Sequence, residues 1–432
     1  MAARIAVIDS GLDYKHKDLV NSLYKNPNET FDLRDEDGNG YQDDVYGWNF
    51  AEQNGEVIDY KFLGTFSPDT KKFFDVQGRL MTGAATEEDK AWYKEKAKDQ
   101  KFIKELGVFG NFVHGTHVAG IAVKNSDNKV FAVKLLPTDT RSFFSTFVEY
   151  SKTLKASDST RWKILTTALE ALSKEQVKLM VQVAQFVKMH EARVANGSFG
   201  TGLDQARMIG DNLYRIIFFK SPSEQDSIKA ATIFLKSSIE EGKKFIGAAP
   251  STLFVFAAGN EGTNNDVELS YPTNIRGDNT ISVAATYQNL ILAPFSNYGS
   301  VVDIAAPGML INSTIPGDDY LKVSGTSQAA PYVANVAGQI IDANPALTPK
   351  DVKNILLSTV DKKSFLKGKV SSEGVVNTER ALYAAQLTKS VGVTEAISRS
   401  LTQVKDKVPS FVMPDASLKS VIPVPLAPLF TM

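Results

Sequence analysis

The sequence predicts an α/β protein of three layers, α/β/α, with a mostly parallel central sheet. Two observations carry the prediction. Six short runs have the near-continuous hydrophobicity of strands buried on both faces. Segments with helical periodicity lie between them, the alternation that βαβ crossovers produce. At 432 residues, 22% charged and 43% hydrophobic, the chain has ordinary globular composition. A net charge of −1 offers no electrostatic basis for binding nucleic acid. The absence of cysteine excludes disulfides, thiolate metal sites and a cysteine nucleophile. There is no run of about 18 apolar residues, so no membrane span is expected.

The first strand is ARIAVID, residues 3–9. In the polar stretch 86–106, Thr86 and Asp89 stand at capping-box spacing, and one exposed helix is expected to stop before Gly107. KVFAVKLL (129–136) is the second strand. Residues 159–190 read as two helices, the second capped by Ser173 and Gln176. ARVANGSF (192–199) is the third strand, and two further helices fill 203–245, broken at SPSEQD (221–226). STLFVFAAG (251–259), TISVAAT (280–286) and VVDIAAPG (301–308) complete the strands. A helix rich in small apolar residues follows at 326–345, then an amphipathic one at 348–360 capped by Thr348. Residues 1–386 therefore read as one domain with helical insertions at about 51–110 and 201–247. Residues 387–432 read as a peripheral extension, with one helix and then VIPVPLAPLF, where proline favours extended backbone.

Four stretches carry chemistry. AVIDSG sets Asp9 at the carboxyl end of a strand, where open α/β sheets build their sites. A carboxylate there can hold a histidine in one tautomer; it also suits a turn or helix cap. HGTHVAG sets His114 and His117 three residues apart on one helix face. It is expected to open a helix, with His114 in the first turn and Gly115 admitting a neighbouring backbone. Zinc fits poorly, because the HExxH glutamate is missing and only His16 and His190 remain as further imidazoles. SGTSQAAP sets Ser327 at a glycine-led helix entrance, where a serine either caps the helix or attacks a carbonyl. FVFAAGNEG sets Asn260 just past a strand, as a turn residue or an oxyanion donor.

In chain order, VIDSGLD, HGTHVAG, AAGNEG and GTSQAAP resemble the subtilisin-like serine proteases, the subtilases. The resemblance covers residues 3 to about 386. It implies a subtilisin-like fold and a serine endopeptidase working through an acyl-enzyme. Asp9 would orient His114, His114 would act as general base and acid, and Ser327 would be the nucleophile. Asn260 would donate its side-chain amide to the oxyanion beside the Ser327 N–H. Ser198, Phe199 and Gly200 would pair with an extended peptide. Ala257, Ala258 and Gly259 would wall the S1 pocket above a floor at Ser270. Such a small-residue floor favours large apolar side chains, unless Glu268 reaches the pocket. Gln328 stands where the family usually has methionine, and Tyr332 where it usually has histidine. The expected partners are a polypeptide substrate and an N-terminal pro-segment outside this chain. A monomer, exported as a precursor, is expected.

DEDGNGYQDD offers a calcium loop. Asp35, Asp37, Asn39, Gly40, Tyr41 and Asp43 match positions 1, 3, 5, 6, 7 and 9 of an EF-hand-type loop. Tyr46 stands where the closing glutamate belongs, with Asp44 as a substitute ligand. The alternative is an acidic Asn-Gly turn leading as a hairpin into YGWNF. Family members commonly use calcium for stability, and NNDVE (264–268) is a second candidate loop. His16 reads as a surface loop residue, His190 as a polar helix end, and His117 as a packed, hydrogen-bonded side chain.

Overall fold

Alternation within the apolar runs decides the layers. In β1 (Arg4–Asp9), Ile5 and Val7 enter one hydrophobic core while Ala6 and Ile8 enter another on the opposite face. The computed structural model describes residues 2–139 and 157–407. After β1 come β2 (Gly47–Asn49), α1 (Pro68–Met81), α2 (Glu87–Lys96), α3 (Gln100–Val123) and β3 (Lys129–Lys134). Next are α4 (Asp158–Met189), β4 (Val194–Gly197), α5 (Leu203–Phe218), α6 (Glu224–Ala248) and β5 (Leu253–Ala257). Then follow β6 (Thr280–Tyr287), β7 (Ile291–Leu292), β8 (Ile304–Pro307), β9 (Ile311–Ile315) and β10 (Asp319–Val323). The last elements are α7 (Thr326–Ala343), α8 (Pro349–Ser358), β11 (Asp361–Lys362), β12 (Gly374–Val375), α9 (Thr378–Leu387) and α10 (Val393–Gln403).

The central sheet runs β11–β12–β8–β6–β5–β4–β1–β3–β2, with β7 alongside β6. Every pair from β12 to β2 is parallel; β11 and β7 add antiparallel edges. Residues of α3, α7, α8 and α9 fill the core on one face, and residues of α4, α5 and α6 fill the other. The three-layer expectation holds. β1 lies between β3 and β4, so chain order changes direction there, and that switch point opens a crevice at the strands' carboxyl ends.

Several boundaries differ from the sequence expectation. The polar stretch 86–106 is not one helix: α2 keeps the Thr86–Asp89 capping box, and Asp99 caps a second helix. That helix, α3, passes through Gly107 and Gly110 to Val123. Phe102, Phe109 and Phe112 explain it, because they pack with Phe73, Phe74 and the β9–β10 hairpin into a third core. Glycine's cost of about 1 kcal/mol in a helix is smaller than the burial these rings provide. α4 is likewise one helix: Ser173 bonds back to the Leu169 carbonyl (3.0 Å) and across to that of Phe234 (3.2 Å). Its hydroxyl is satisfied without capping anything. The segment leading to YGWNF ends in β2, which pairs parallel with β3; among the described residues no antiparallel pairing joins β2 to the acidic segment before it.

α3 is long and apolar enough to cross a bilayer, but its apolar span is 89% buried within the protein. The expected C-terminal helix is α10, with Ala396 and Ile397 buried. Buried Arg380 of α9 holds the segment beyond it, donating to the Val404 carbonyl and the Asp406 carboxylate. VIPVPLAPLF lies outside the described residues.

Candidate active site

Asp9 closes β1, and its Oδ1 lies 2.7 Å from His114 Nδ1, both side chains buried. The same oxygen accepts from the Ser10 N–H at 2.8 Å. His114 is not in a first turn, as expected from sequence; it sits in the interior of α3, which begins fourteen residues earlier at Gln100. The helix must therefore approach β1 side-on, and Gly115 permits this. A Cβ there would lie 2.0 Å from the Gly11 carbonyl oxygen. The seat is pinned further by Thr116 Oγ1, which accepts from the Asp13 N–H (3.0 Å). On the other side, the hydroxyls of Ser313 and Thr314 donate to the carbonyls of His117 and Thr116.

Ser327 is the second residue of α7, behind Gly325 at the helix entrance. It is buried, and its Oγ donates to the Ser198 carbonyl at 3.3 Å. Ser198 Oγ donates in return to the Ser327 carbonyl at 2.9 Å. The two halves of the site meet through the sheet register. Ile8 of β1 pairs with Gly197 of β4, so Asp9 and Ser198 leave adjacent strands side by side, about 4.8 Å apart for neighbouring strands. Among the described residues no hydrogen bond joins Ser327 to His114; such bonds are commonly long before substrate arrives.

Asn260 follows β5. Its Oδ1 accepts from the Thr326 N–H (2.8 Å) and from Thr326 Oγ1 (3.0 Å). A backbone N–H can only donate, so oxygen faces Thr326 and the amide nitrogen points elsewhere. Thr326 was not singled out in the sequence, although it adjoins Ser327. Gln328 is buried with its Nε2 unpartnered.

Of the residues assigned to substrate, Ser198 and Phe199 are buried just beyond β4, and Gly200 lies beside the Ser270–Tyr271 segment. Thr201 and Tyr271 exchange backbone hydrogen bonds of 2.7 and 3.0 Å, joining these two walls. Ala257 and Ala258 are buried, Ala257 ending β5. Gly259 donates its N–H to Thr326 Oγ1 at 3.1 Å.

The five predicted calcium ligands are divided. Asp35 and Asn39 accept N–H groups of their own turn, at Asn39, Gly40 and Tyr41. Tyr41 packs its ring on Trp48, Phe50 and Phe186. Asp43 turns to the N–H groups of Asp32 and Leu33. Asp37 accepts the Asn39 N–H at 3.1 Å and also joins Glu29 and Asp44, with carboxylate oxygens of all three within 4.8 Å of one another. Burial pushes the Glu29 carboxyl above its ordinary range.

The remaining histidines have structural partners. His117 Nε2 faces the carbonyls of Ile311 (3.2 Å) and Leu321 (3.0 Å), as expected for a packed side chain. His16 is in a loop but fully buried, contrary to expectation, because the β9–β10 turn covers it; its Nε2 meets the Asp319 carbonyl at 3.2 Å. His190 caps α4 and places Nε2 3.0 Å from Asp44.

The profile of the Subtilase family matches residues 2–379. "Subtilisin-like protease 1" of Plasmodium falciparum (isolate 3D7) is 25% identical over 409 residues, covering 92% of this chain and 46% of the relative. The chain thus spans about half the length of the curated relatives it first matches. "Subtilisin BL" of Lederbergia lenta is 39% identical over 129 residues, covering 30% of this chain and 45% of the relative. Among solved structures, a lanthipeptide protease aligns at 18% identity and a TM-score of 0.48, covering 88% of each chain.

Proposed function

Because the chain belongs to the subtilase family, we propose that it is a serine endopeptidase acting on extended polypeptides, with Asp9, His114 and Ser327 as its triad. The buried 2.7 Å contact between Asp9 and His114 carries the reading. A carboxylate at Nδ1 leaves Nε2 as the basic nitrogen. Ser327 Oγ attacks the peptide carbonyl carbon and passes its proton to His114 Nε2. The Asp9 carboxylate stabilises the imidazolium. The oxyanion takes the Asn260 Nδ2–H, left available by Thr326, and the Ser327 N–H at the positive end of α7. Collapse breaks the C–N bond, and His114 gives its proton to the leaving amine. Water, deprotonated by His114, then hydrolyses the ester and returns Ser327.

Residues 198–200 would hold the substrate backbone, with Ala257, Ala258, Gly259 and Ser270 around the side chain that precedes the scissile bond. A structural Ca²⁺ belongs to the same reading. Oxygen-only donors suit a hard cation, and Glu29, Asp37 and Asp44 would hold it.

A serine-reactive fluorophosphonate tests the proposal. Wild type is expected to be labelled and to cleave casein, and Ser327→Ala to do neither. Equal labelling of the two proteins would overturn it.

A further inference from the structure

Ser270, assigned to the floor of the S1 pocket, also lines a cavity of about 100 Å³. Gly202 and Asp204 follow the 198–200 wall, Glu261 follows Asn260, and Glu268 leads into Ser270. Three carboxylates therefore line it, and no lysine or arginine does among the described residues. Asp204 and Glu261 are exposed, Glu268 is half-buried, and Ser270 is only 4% exposed, so the lining deepens toward the serine.

Two of these groups are set for a ligand. Glu261 is held in place: Asn297 Nδ2 donates to its Oε2 at 2.7 Å. Its Oε1 occupies space beside Gly202, 3.3 Å from where a Cβ would stand. Ser270 also lines the cavity; its N–H is taken by Asn274 Oδ1 at 2.9 Å, and no hydrogen bond of its Oγ is found among the described residues. A hydroxyl on the cavity wall can accept from, or donate to, a polar group that enters.

Resting on the protease reading, we infer that this pocket selects lysine or arginine immediately before the scissile bond. A long basic side chain lays its aliphatic stem along the wall and carries its charge to the carboxylates. An apolar side chain of equal size would desolvate those carboxylates without pairing them, and an acidic one would be repelled. The pocket's small-residue floor alone pointed to large apolar side chains; the three carboxylates reverse that preference.

The test uses fluorogenic peptides differing only at that residue, alongside fluorophosphonate labelling of the full chain. Arginine or lysine is expected to exceed leucine and phenylalanine at least tenfold in kcat/KM. Glu268→Gln is expected to shrink that ratio severalfold, with Glu261→Gln as a second variant should the first fail to fold. Benzamidine is expected to slow labelling of wild type. Preference for leucine or phenylalanine, with labelling intact, would overturn this inference and leave the protease reading standing. Neither cleavage nor labelling would overturn both.

Discussion

Thr326 fixes which end of Asn260 is chemically available, through two contacts of 2.8 and 3.0 Å to its Oδ1. His117 shows the opposite use of a polar side chain. Two carbonyls face Nε2, so that nitrogen carries the proton, and Nδ1 is buried without a partner. Burial lowers its pKa from the usual 6.5 to about 4. Between those values the unfolded chain binds the extra proton and the folded one does not, so stability falls as pH drops through the window. Urea unfolding at pH 7 and pH 4.5 should show wild type losing about 2–3 kcal/mol more than His117→Gln. Equal losses would refute this. Asp9, Asn260 and Ser327 were legible as candidates because each stands beside a strand end or helix entrance, whereas the placing of His114 inside α3 was not. Nor was the burial of His16, because its cover comes from Asp319, some 300 positions away.

Among the elements, α3 was read least well. Gly107 looks like a helix ending until Phe102, Phe109 and Phe112 are seen to share a core with α1 and the β9–β10 hairpin. Such partners are distant in sequence and leave no local signal. Strands were easier, because burial on both faces writes itself into continuous apolar runs. The contact between α3 and β1 is tight enough to test. Gly115→Ala would put a methyl group 2.0 Å from the Gly11 carbonyl oxygen. With a backbone atom as neighbour, relief requires the helix to shift. The variant should lose about 1–3 kcal/mol in denaturant unfolding and most of its fluorophosphonate labelling, because His114 moves relative to Asp9. Wild-type stability and labelling would show that the seat has slack.

For the whole molecule, the layers followed from the sequence, whereas the strand order and the grouping of acidic residues did not. Glu29 lies outside the predicted loop and reaches it only through the fold. If Ca²⁺ sits among Glu29, Asp37 and Asp44, EGTA should lower the melting temperature and excess Ca²⁺ should restore it. At a hundredfold excess over the dissociation constant the ion contributes about 2.7 kcal/mol. An Asp37→Asn, Asp44→Asn double variant should lose the response, and an unresponsive wild type would exclude the site. The unbroken course of α3 also bears on modularity. Insertions are ordinarily appendages that can be trimmed back to a parent scaffold. Here the last helix of the expected insertion and the helix bearing His114 are one hydrogen-bonded rod, packed through aromatic rings in its first half and against Gly11 at Gly115. The expected insertion and the proposed catalytic histidine share a spine, so neither can be exchanged without rebuilding the other.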